Sequence, residues 1–234
     1  MIAVGGKSVY GAPLGILMLE ARFPRILGDM GNAETFDFPV RYQVVRGASP
    51  DLVVRRGAAG TLEKFIAAGR DLVADGCAGI TTNCGFLTLF QDELAQGLGV
   101  PVMTSALMQA GAIQALLPPG KKVGILTISQ SSLTAEHLEK ANVPNGLPVA
   151  GVKEGCHFQT VILDGGLELD VARAEADMVA AAMGFVQENQ DLGAMLFECT
   201  NMPPYAGAVK AATGLPVFSS VTMATWFYGA LKGL

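Results

Sequence analysis

Two cysteines, Cys84 and Cys199, stand in matching contexts 115 positions apart in the chain. In each copy a short apolar run precedes the cysteine. A seven-residue segment that begins with Gly-x-Pro-Val and ends in serine follows at residues 99–105 and 214–220. It lies at the same distance from the cysteine in both copies, so the copies align without a gap. Chance can produce the four-residue segment alone, but a cysteine at the same place in both copies indicates an internal duplication. The duplication predicts two equivalent thiols, one from each half of the chain.

A pair of thiols suits the inversion of a carbon atom next to a carboxylate. The inversion needs a base that removes a proton from one face of the carbon and an acid that delivers a proton to the other face. A thiolate and a thiol on opposite sides perform both steps without a cofactor. We therefore predict that Cys84 and Cys199 are catalytic. Cys77 and Cys156 lack the duplicated context and are interpreted as structural.

Polar groups beside the two cysteines are predicted to bind the substrate carboxylate. Each cysteine is expected at a helix N-terminus, where free N–H groups and the helix dipole favour a thiolate and a bound anion. As the substrate loses its proton, negative charge develops that hydrogen-bond donors must stabilise. The predicted donors are the amides near Gly85 and Thr200 and the side chains of Asn83, Thr200 and Asn201.

Four further residues are candidates for binding the substrate. Thr127 and Ser129 follow a predicted strand, where their hydroxyl groups could donate to a carboxylate. Arg22 and Arg25 follow the first predicted strand in the corresponding place, and an arginine can bind a carboxylate through two N–H groups. No metal site is predicted, because the chain has two histidines and no C-x-x-C pair.

Short apolar runs alternate with longer segments of helical period, which is typical of parallel sheets built from βαβ units. The predicted strands are residues 14–19, 40–45, 79–82, 100–103, 123–128, 148–152, 194–197 and 217–219. The clearest predicted helices are residues 61–74, 131–141 and 169–187. Ligands of open parallel sheets bind beyond the carboxyl ends of the strands, so the two thiols are expected to approach one cleft from opposite sides.

Two segments resemble the Asp/Glu racemase superfamily, namely Thr82-Asn83-Cys84-Gly85 and Glu198-Cys199-Thr200-Asn201-Met202. The superfamily includes aspartate, glutamate and hydantoin racemases, maleate isomerase and arylmalonate decarboxylase. The second segment is similar to its Cys-Thr motif, whereas Gly85-Phe86 stands where amino-acid racemases usually have Asn-Thr. The resemblance implies an α/β fold of two pseudo-symmetric lobes, each with a four-stranded parallel sheet flanked by helices, and an active-site cleft between the lobes.

The resemblance also implies how the chain is divided and assembled. Residues 1–104 and 216–234 would form the first lobe, because the final strand and helix return to it, and residues 105–215 would form the second. Catalysis would need neither pyridoxal phosphate nor another cofactor. The protein is expected to form a homodimer or a higher homo-oligomer.

The bulk composition restricts the partners of the protein. The net charge is −5 and no basic tract is present, which argues against binding of nucleic acid. No apolar stretch is long enough to span a membrane, and the N-terminus lacks the form of a signal peptide. We therefore expect a cytoplasmic protein whose partner is a small carboxylate substrate.

From the sequence we predict an amino-acid racemase of the aspartate/glutamate type. One alternative is an isomerase like maleate isomerase, in which a thiolate adds to the double bond of a diacid. Another is a hydantoin racemase. The alternative from a different class is a two-lobed protein that binds a small acid without chemistry.

Overall fold

The computed structural model describes residues 2–232, which form two lobes around two parallel sheets. The first sheet has the order β2-β1-β3-β4 and the second the order β6-β5-β7-β8. The strands of the first are β1 (Leu14–Leu19), β2 (Val40–Val45), β3 (Gly79–Thr82) and β4 (Val102–Met103). Those of the second are β5 (Lys122–Thr127), β6 (Val149–Gly151), β7 (Leu192–Phe197) and β8 (Val217–Phe218). The predicted α/β fold with two four-stranded parallel sheets is confirmed.

Helices cover the sheets and connect the strands. The α-helices are α1 (Pro50–Arg55), α2 (Leu62–Ala74), α3 (Gln91–Leu98), α4 (Ala110–Leu116), α5 (Ala135–Lys140), α6 (His157–Asp164), α7 (Val171–Glu188), α8 (Ala206–Thr213) and α9 (Ser220–Lys232). Short 3₁₀ helices occupy Ala33–Thr35, Gly85–Phe90, Ala106–Gln109 and Pro203–Tyr205. Every residue of β1 is buried, because helices cover both faces of a central parallel strand.

The helix after the last strand of each sheet packs on the other lobe. In α4, Ile113 shares an apolar core with Ile125 of β5. In α9, Phe227 shares a core with Ile16 of β1. This exchange ties the lobes together and fixes the cleft between the carboxyl ends of their strands.

The last strand lies in a different sheet from the one implied by the resemblance. β8 pairs with β7, with Val217 opposite Met195, so it belongs to the second sheet and only α9 returns to the first lobe. The duplication gives the physical reason, because β8 repeats β4. Each of these strands forms its backbone hydrogen bonds with the strand before it, β3 or β7. Residues 1 and 233–234, also assigned to the first lobe, lie outside the described part of the chain.

Helix boundaries follow local capping. Thr61 precedes α2 as predicted. The helix predicted from residue 131 begins later, because Thr134 is the N-cap of α5 and its N–H donates to His137 Nδ1 at 3.2 Å. The sequence pattern does not predict α1 or α6, which are too short to show a clear helical period.

Within residues 2–232, no helix has the length and apolar character needed to cross a membrane. The same residues contain no cluster of three histidine, cysteine, aspartate or glutamate side chains that could hold a metal ion.

Candidate active site

A small cavity lies between the lobes at the carboxyl ends of β1, β3, β5 and β7. Both Cys84 and Cys199 line it. Its other polar and glycine lining residues are Arg25, Asn83, Gly85, Glu198, Thr200 and Asn201. Its apolar walls are Leu19, Phe23, Pro50, Val54, Phe86, Ile128, Ile162 and Leu163. The volume of about 20 Å³ is room for about one water molecule, so the cavity must widen before a substrate can bind.

The loop after β3 holds Cys84 by backbone and side-chain hydrogen bonds. The N–H of Cys84 donates to Thr82 Oγ1 at 3.2 Å. Asn83 Oδ1 accepts from the N–H of Leu19 at 2.7 Å, which ties the loop to the end of β1. Cys84 is the N-cap of the 3₁₀ helix Gly85–Phe90, and α3 begins only at Gln91. The expected helix start is therefore present, but in 3₁₀ form.

The loop after β7 holds Cys199 in a turn. The N–H of Met202 donates to the carbonyl of Cys199 at 3.2 Å, and a 3₁₀ segment separates this turn from α8 at Ala206. Cys199 Sγ donates to Asn201 Oδ1 at 3.5 Å. The prediction that Cys199 lies at a helix N-terminus is wrong, because Pro203 and Pro204 delay the start of the helix.

The pKa values of both thiols are raised, opposite to the expected direction. Burial is the main cause for Cys84 and the nearby Glu198 carboxylate the next, and together they raise its pKa to about 12. The amides of Phe86 and Leu87 act against this shift. Burial and then Glu198 raise the pKa of Cys199 well above its usual value. Desolvation therefore outweighs the backbone dipoles in the closed cavity.

Thr200 and Asn201 connect the lobes. Thr200 Oγ1 donates to the carbonyl oxygen of Asn83. Asn201 Nδ2 donates to Asp29 Oδ2 at 2.6 Å, and this carboxylate belongs to the first lobe. Both residues line the cavity, and their side-chain donors bond to residues of the first lobe.

The two arginine candidates occupy different places. Arg25 lines the cavity, forms an ion pair with Asp29 at 2.8 Å and lies 4.5 Å from the centre of the Phe23 ring. Arg22 is exposed and does not line the cavity. It borders an open depression of about 900 Å³ that adjoins the cavity through Arg25 and Leu19. Arg22 therefore lies on the approach to the thiols.

Thr127 and Ser129 also lie outside the lining of the cavity. Thr127 Oγ1 donates to Glu198 Oε2 at 2.8 Å, and Ser129 Oγ donates to Ser132 Oγ at 2.8 Å. Both hydroxyl groups are used within the protein in this structure, so their binding of a substrate carboxylate stays a prediction.

Glu198 is the functional candidate that the sequence analysis missed. Its side chain is fully buried, and its Oε1 has no hydrogen-bond partner. Burial raises the pKa of Glu198 to about 7, and the hydrogen bond from Thr127 acts against this shift. The available signal was its position, because it takes the place of Asn83 in the duplicated segment and follows a buried apolar strand.

Gly85 allows the two loops to approach each other closely. A Cβ atom at this position would lie 2.6 Å from the carbonyl oxygen of Glu198 and closer still to its Oε1. Two thiols and a carboxyl group therefore share one water-poor cavity. This arrangement can transfer protons to and from a carbon atom, and a cation bound there would lower the pKa of all three groups.

The sequence is similar to proteins named dimethylsulfoniopropionate lyase. A protein of this name from Durusdinium sp. clade D is 28% identical over 228 residues, which cover 94% of this chain and 75% of that protein. Dimethylsulfoniopropionate lyase 7 of Emiliania huxleyi is 32% identical over 237 residues, which cover 93% of this chain and 67% of that protein. No protein family model matches the sequence.

Solved structures share the fold. Unliganded arylmalonate decarboxylase matches with a TM-score of 0.59 and 18% identity, over 95% of this chain and 93% of that one. Picrophilus torridus aspartate racemase matches with a TM-score of 0.60 and 12% identity, over 94% of this chain and 95% of that one. Both proteins belong to the Asp/Glu racemase superfamily, so the fold implied by the sequence resemblance is confirmed.

Proposed function

Because the chain belongs to the same enzyme family as the dimethylsulfoniopropionate lyases of Emiliania huxleyi, we propose that it cleaves a small carboxylate that carries a sulfonium group on its β-carbon. The observation that carries the proposal is the 32% identity to such a lyase over 93% of the chain. Dimethylsulfoniopropionate is the substrate we expect. A lyase thus takes the place of the racemase that the sequence analysis favoured.

The elimination starts in the same way as racemisation. A base removes a proton from the carbon next to the carboxylate, and the electron pair of the C–H bond becomes the second bond between the α- and β-carbons. The β-carbon–sulfur bond breaks, and its electron pair leaves with sulfur as neutral dimethyl sulfide. The products are dimethyl sulfide, acrylate and a protonated base, so the leaving group needs no acid.

Cys84 is the proposed base. The backbone amides of Phe86 and Leu87 and the charge of Arg25 favour its thiolate. The sulfur of Cys199 has one such amide, that of Asn201, and it donates to Asn201 Oδ1, which favours the protonated thiol. Arg25 lines the same cavity and is the proposed partner of the substrate carboxylate.

The test is release of dimethyl sulfide from dimethylsulfoniopropionate by the purified protein, followed by headspace gas chromatography, with acrylate measured in the same sample. We expect the wild type to form both products in equal amounts and Cys84→Ser to form both about 10³-fold more slowly. Cys77→Ser is the matched control, because Cys77 is a buried thiol outside the cavity. No product from the wild type, or equal turnover by Cys84→Ser, would contradict the proposal.

A racemase is the second candidate, and the presence of two thiols in one cavity favours it. Racemisation of aspartate or glutamate in deuterium oxide would place deuterium on the α-carbon and interconvert the enantiomers. A racemase would do so and would release no acrylate from dimethylsulfoniopropionate. Serine at either cysteine would then stop inversion, because each thiol serves one face of the carbon.

A further inference from the structure

The cavity contains one carboxylate that no protein cation neutralises. Glu198 is fully buried, and Oε2 accepts from Thr127 while Oε1 faces no donor. The other charged lining residue, Arg25, is already paired with Asp29. Among residues 2–232, Glu198 forms no ion pair. A buried carboxylate without a partner is costly, so Glu198 either takes up a proton, as its raised pKa indicates, or pairs with a positive group that arrives from outside.

The walls of the cavity indicate which kind of cation fits. An ammonium group carries three N–H bonds that need acceptors when buried. Glu198 Oε1 can accept from one of them, and the apolar walls around Phe86 and Ile128 offer no acceptor to the others. A fully alkylated onium centre has no N–H bond to satisfy. Its methyl groups can pack on apolar side chains, and its charge is attracted to the face of an aromatic ring such as that of Phe86.

We propose that Glu198 binds the cationic centre of the substrate, so that the site selects a zwitterion in which a fully alkylated onium group accompanies the carboxylate. This inference rests on the proposed lyase function and assigns the residue that recognises the sulfonium. Glu198 contacts the part of the substrate that departs, whereas the thiol of Cys84 acts on the neighbouring carbon.

Binding of the cation also prepares the base. The charge of Glu198 is the second largest cause of the raised pKa values of Cys84 and Cys199. An onium group beside Glu198 offsets that negative charge, and this change stabilises a thiolate. The substrate thereby favours the thiolate that attacks its α-proton, while an empty site keeps its thiols protonated.

The test compares three ligands by isothermal titration calorimetry at pH 8, where Glu198 is ionised. The ligands are 3-(trimethylammonio)propionate, 4,4-dimethylpentanoate and 3-aminopropionate. The second is called the neutral isostere here, because an uncharged carbon replaces the ammonium nitrogen while the carboxylate is kept. We expect the wild type to bind the alkylated onium at least about 10-fold more tightly than either of the others. Equal affinity for the onium and the neutral isostere would overturn the inference. Tighter binding of 3-aminopropionate would overturn the preference for an alkylated cation.

Variants assign the preference to Glu198. Glu198→Gln should bind the onium and the neutral isostere equally, and Glu198→Asp, which keeps the charge, should retain part of the preference. Glu93→Gln is the matched control, because Glu93 also has a buried carboxylate oxygen without a partner but lies outside the cavity. Circular dichroism verifies that each variant is folded. A full onium preference in folded Glu198→Gln would overturn the assignment.

The outcomes separate this inference from the proposed function. If the wild type releases no dimethyl sulfide but its onium preference disappears in Glu198→Gln, the lyase proposal fails and the cation site stands. If dimethyl sulfide is released and the preference survives in Glu198→Gln, the lyase stands and the role of Glu198 is wrong.

Discussion

The triplets Asn83-Cys84-Gly85 and Glu198-Cys199-Thr200 occupy equivalent places after β3 and β7, and they differ on both sides of the cysteine. The first triplet begins with a neutral amide that ties the loop to β1 and ends with a glycine that leaves space. The second begins with a buried carboxyl group and ends with a hydroxyl group that bonds to the other lobe. The duplicated fold therefore carries two chemically different loops.

This difference bears on the reaction. A racemase needs acid–base groups on both faces of a carbon, whereas an elimination needs one base and a group that recognises the leaving group. The first loop has two backbone amides that favour the thiolate of Cys84, and the second has a buried carboxyl oxygen without a hydrogen-bond partner. In the proposed elimination, duplication places these groups around the substrate, and the flanking residues divide the tasks between them.

Replacement of each cysteine by serine tests this division most directly. We expect kcat/KM for dimethyl sulfide release to fall by about 10³-fold in Cys84→Ser, as for loss of a general base, and by no more than about 10-fold in Cys199→Ser. Headspace gas chromatography over a range of substrate concentrations measures both values. Equal losses in the two variants would mean that the loops contribute alike, as in a two-base racemase.

The carboxyl group of the second loop should make stability depend on pH. The unfolded chain releases the Glu198 proton near pH 4.5, and the folded chain retains it until about pH 7. Between these values the folded state binds more protons than the unfolded state, so the free energy of unfolding falls as the pH rises. The shift corresponds to roughly 3 kcal/mol lost over that window.

Urea denaturation of the wild type and Glu198→Gln from pH 4.5 to pH 8 measures this effect. Glu198→Gln should lack this part of the pH dependence, because its amide does not titrate. Asn83 holds the equivalent place in the first loop and contributes no such dependence. Identical pH profiles for the two proteins would show that the pKa of Glu198 in the folded state equals that of a solvent-exposed glutamate.

A smaller effect is expected from the residue after the first cysteine. In Gly85→Ala the new methyl group meets the carbonyl oxygen of Glu198 at 2.6 Å, so the loops must separate. We expect the free energy of unfolding to fall by about 1–3 kcal/mol, as for overpacking of a tight interior.

Gly184→Ala is the control for Gly85→Ala. Gly184 lies inside α7, where an added Cβ has no atom within 4 Å, so alanine should raise stability by about 0.5–1 kcal/mol. Urea titrations of both variants provide the comparison. Unchanged stability in Gly85→Ala would show that the two loops are not in close contact in solution.

The strands of both sheets could be predicted from the sequence, because they are short apolar runs with a local pattern. β1, β2 and β3 have the predicted bounds, and the other predicted strands overlap those observed. The resemblance implied the wrong sheet for β8. The sequence nevertheless shows that β8 repeats β4, which indicates that it pairs with the strand before it. Short helices such as α1 and α6 complete too few turns to give a period, yet their residues Val54 and Ile162 form walls of the cavity.

The sequence by itself determined that two equivalent cysteines follow equivalent strands, because a duplication is visible in the order of residues alone. It also placed Asn83, Gly85, Thr200 and Asn201 beside them, since neighbours in the chain remain neighbours in a loop. Only the tertiary structure decided that Arg25 reaches the cavity while Arg22 stays on its approach.

The same holds for the charges. The sequence shows that residue 198 is a glutamate, but its lack of a cationic partner depends on which side chains the other lobe brings near it. The raised pKa values of the thiols likewise follow from burial between two lobes that are distant in the chain. Desolvation and Coulomb energies depend on distances in space, and residue order alone does not contain those distances.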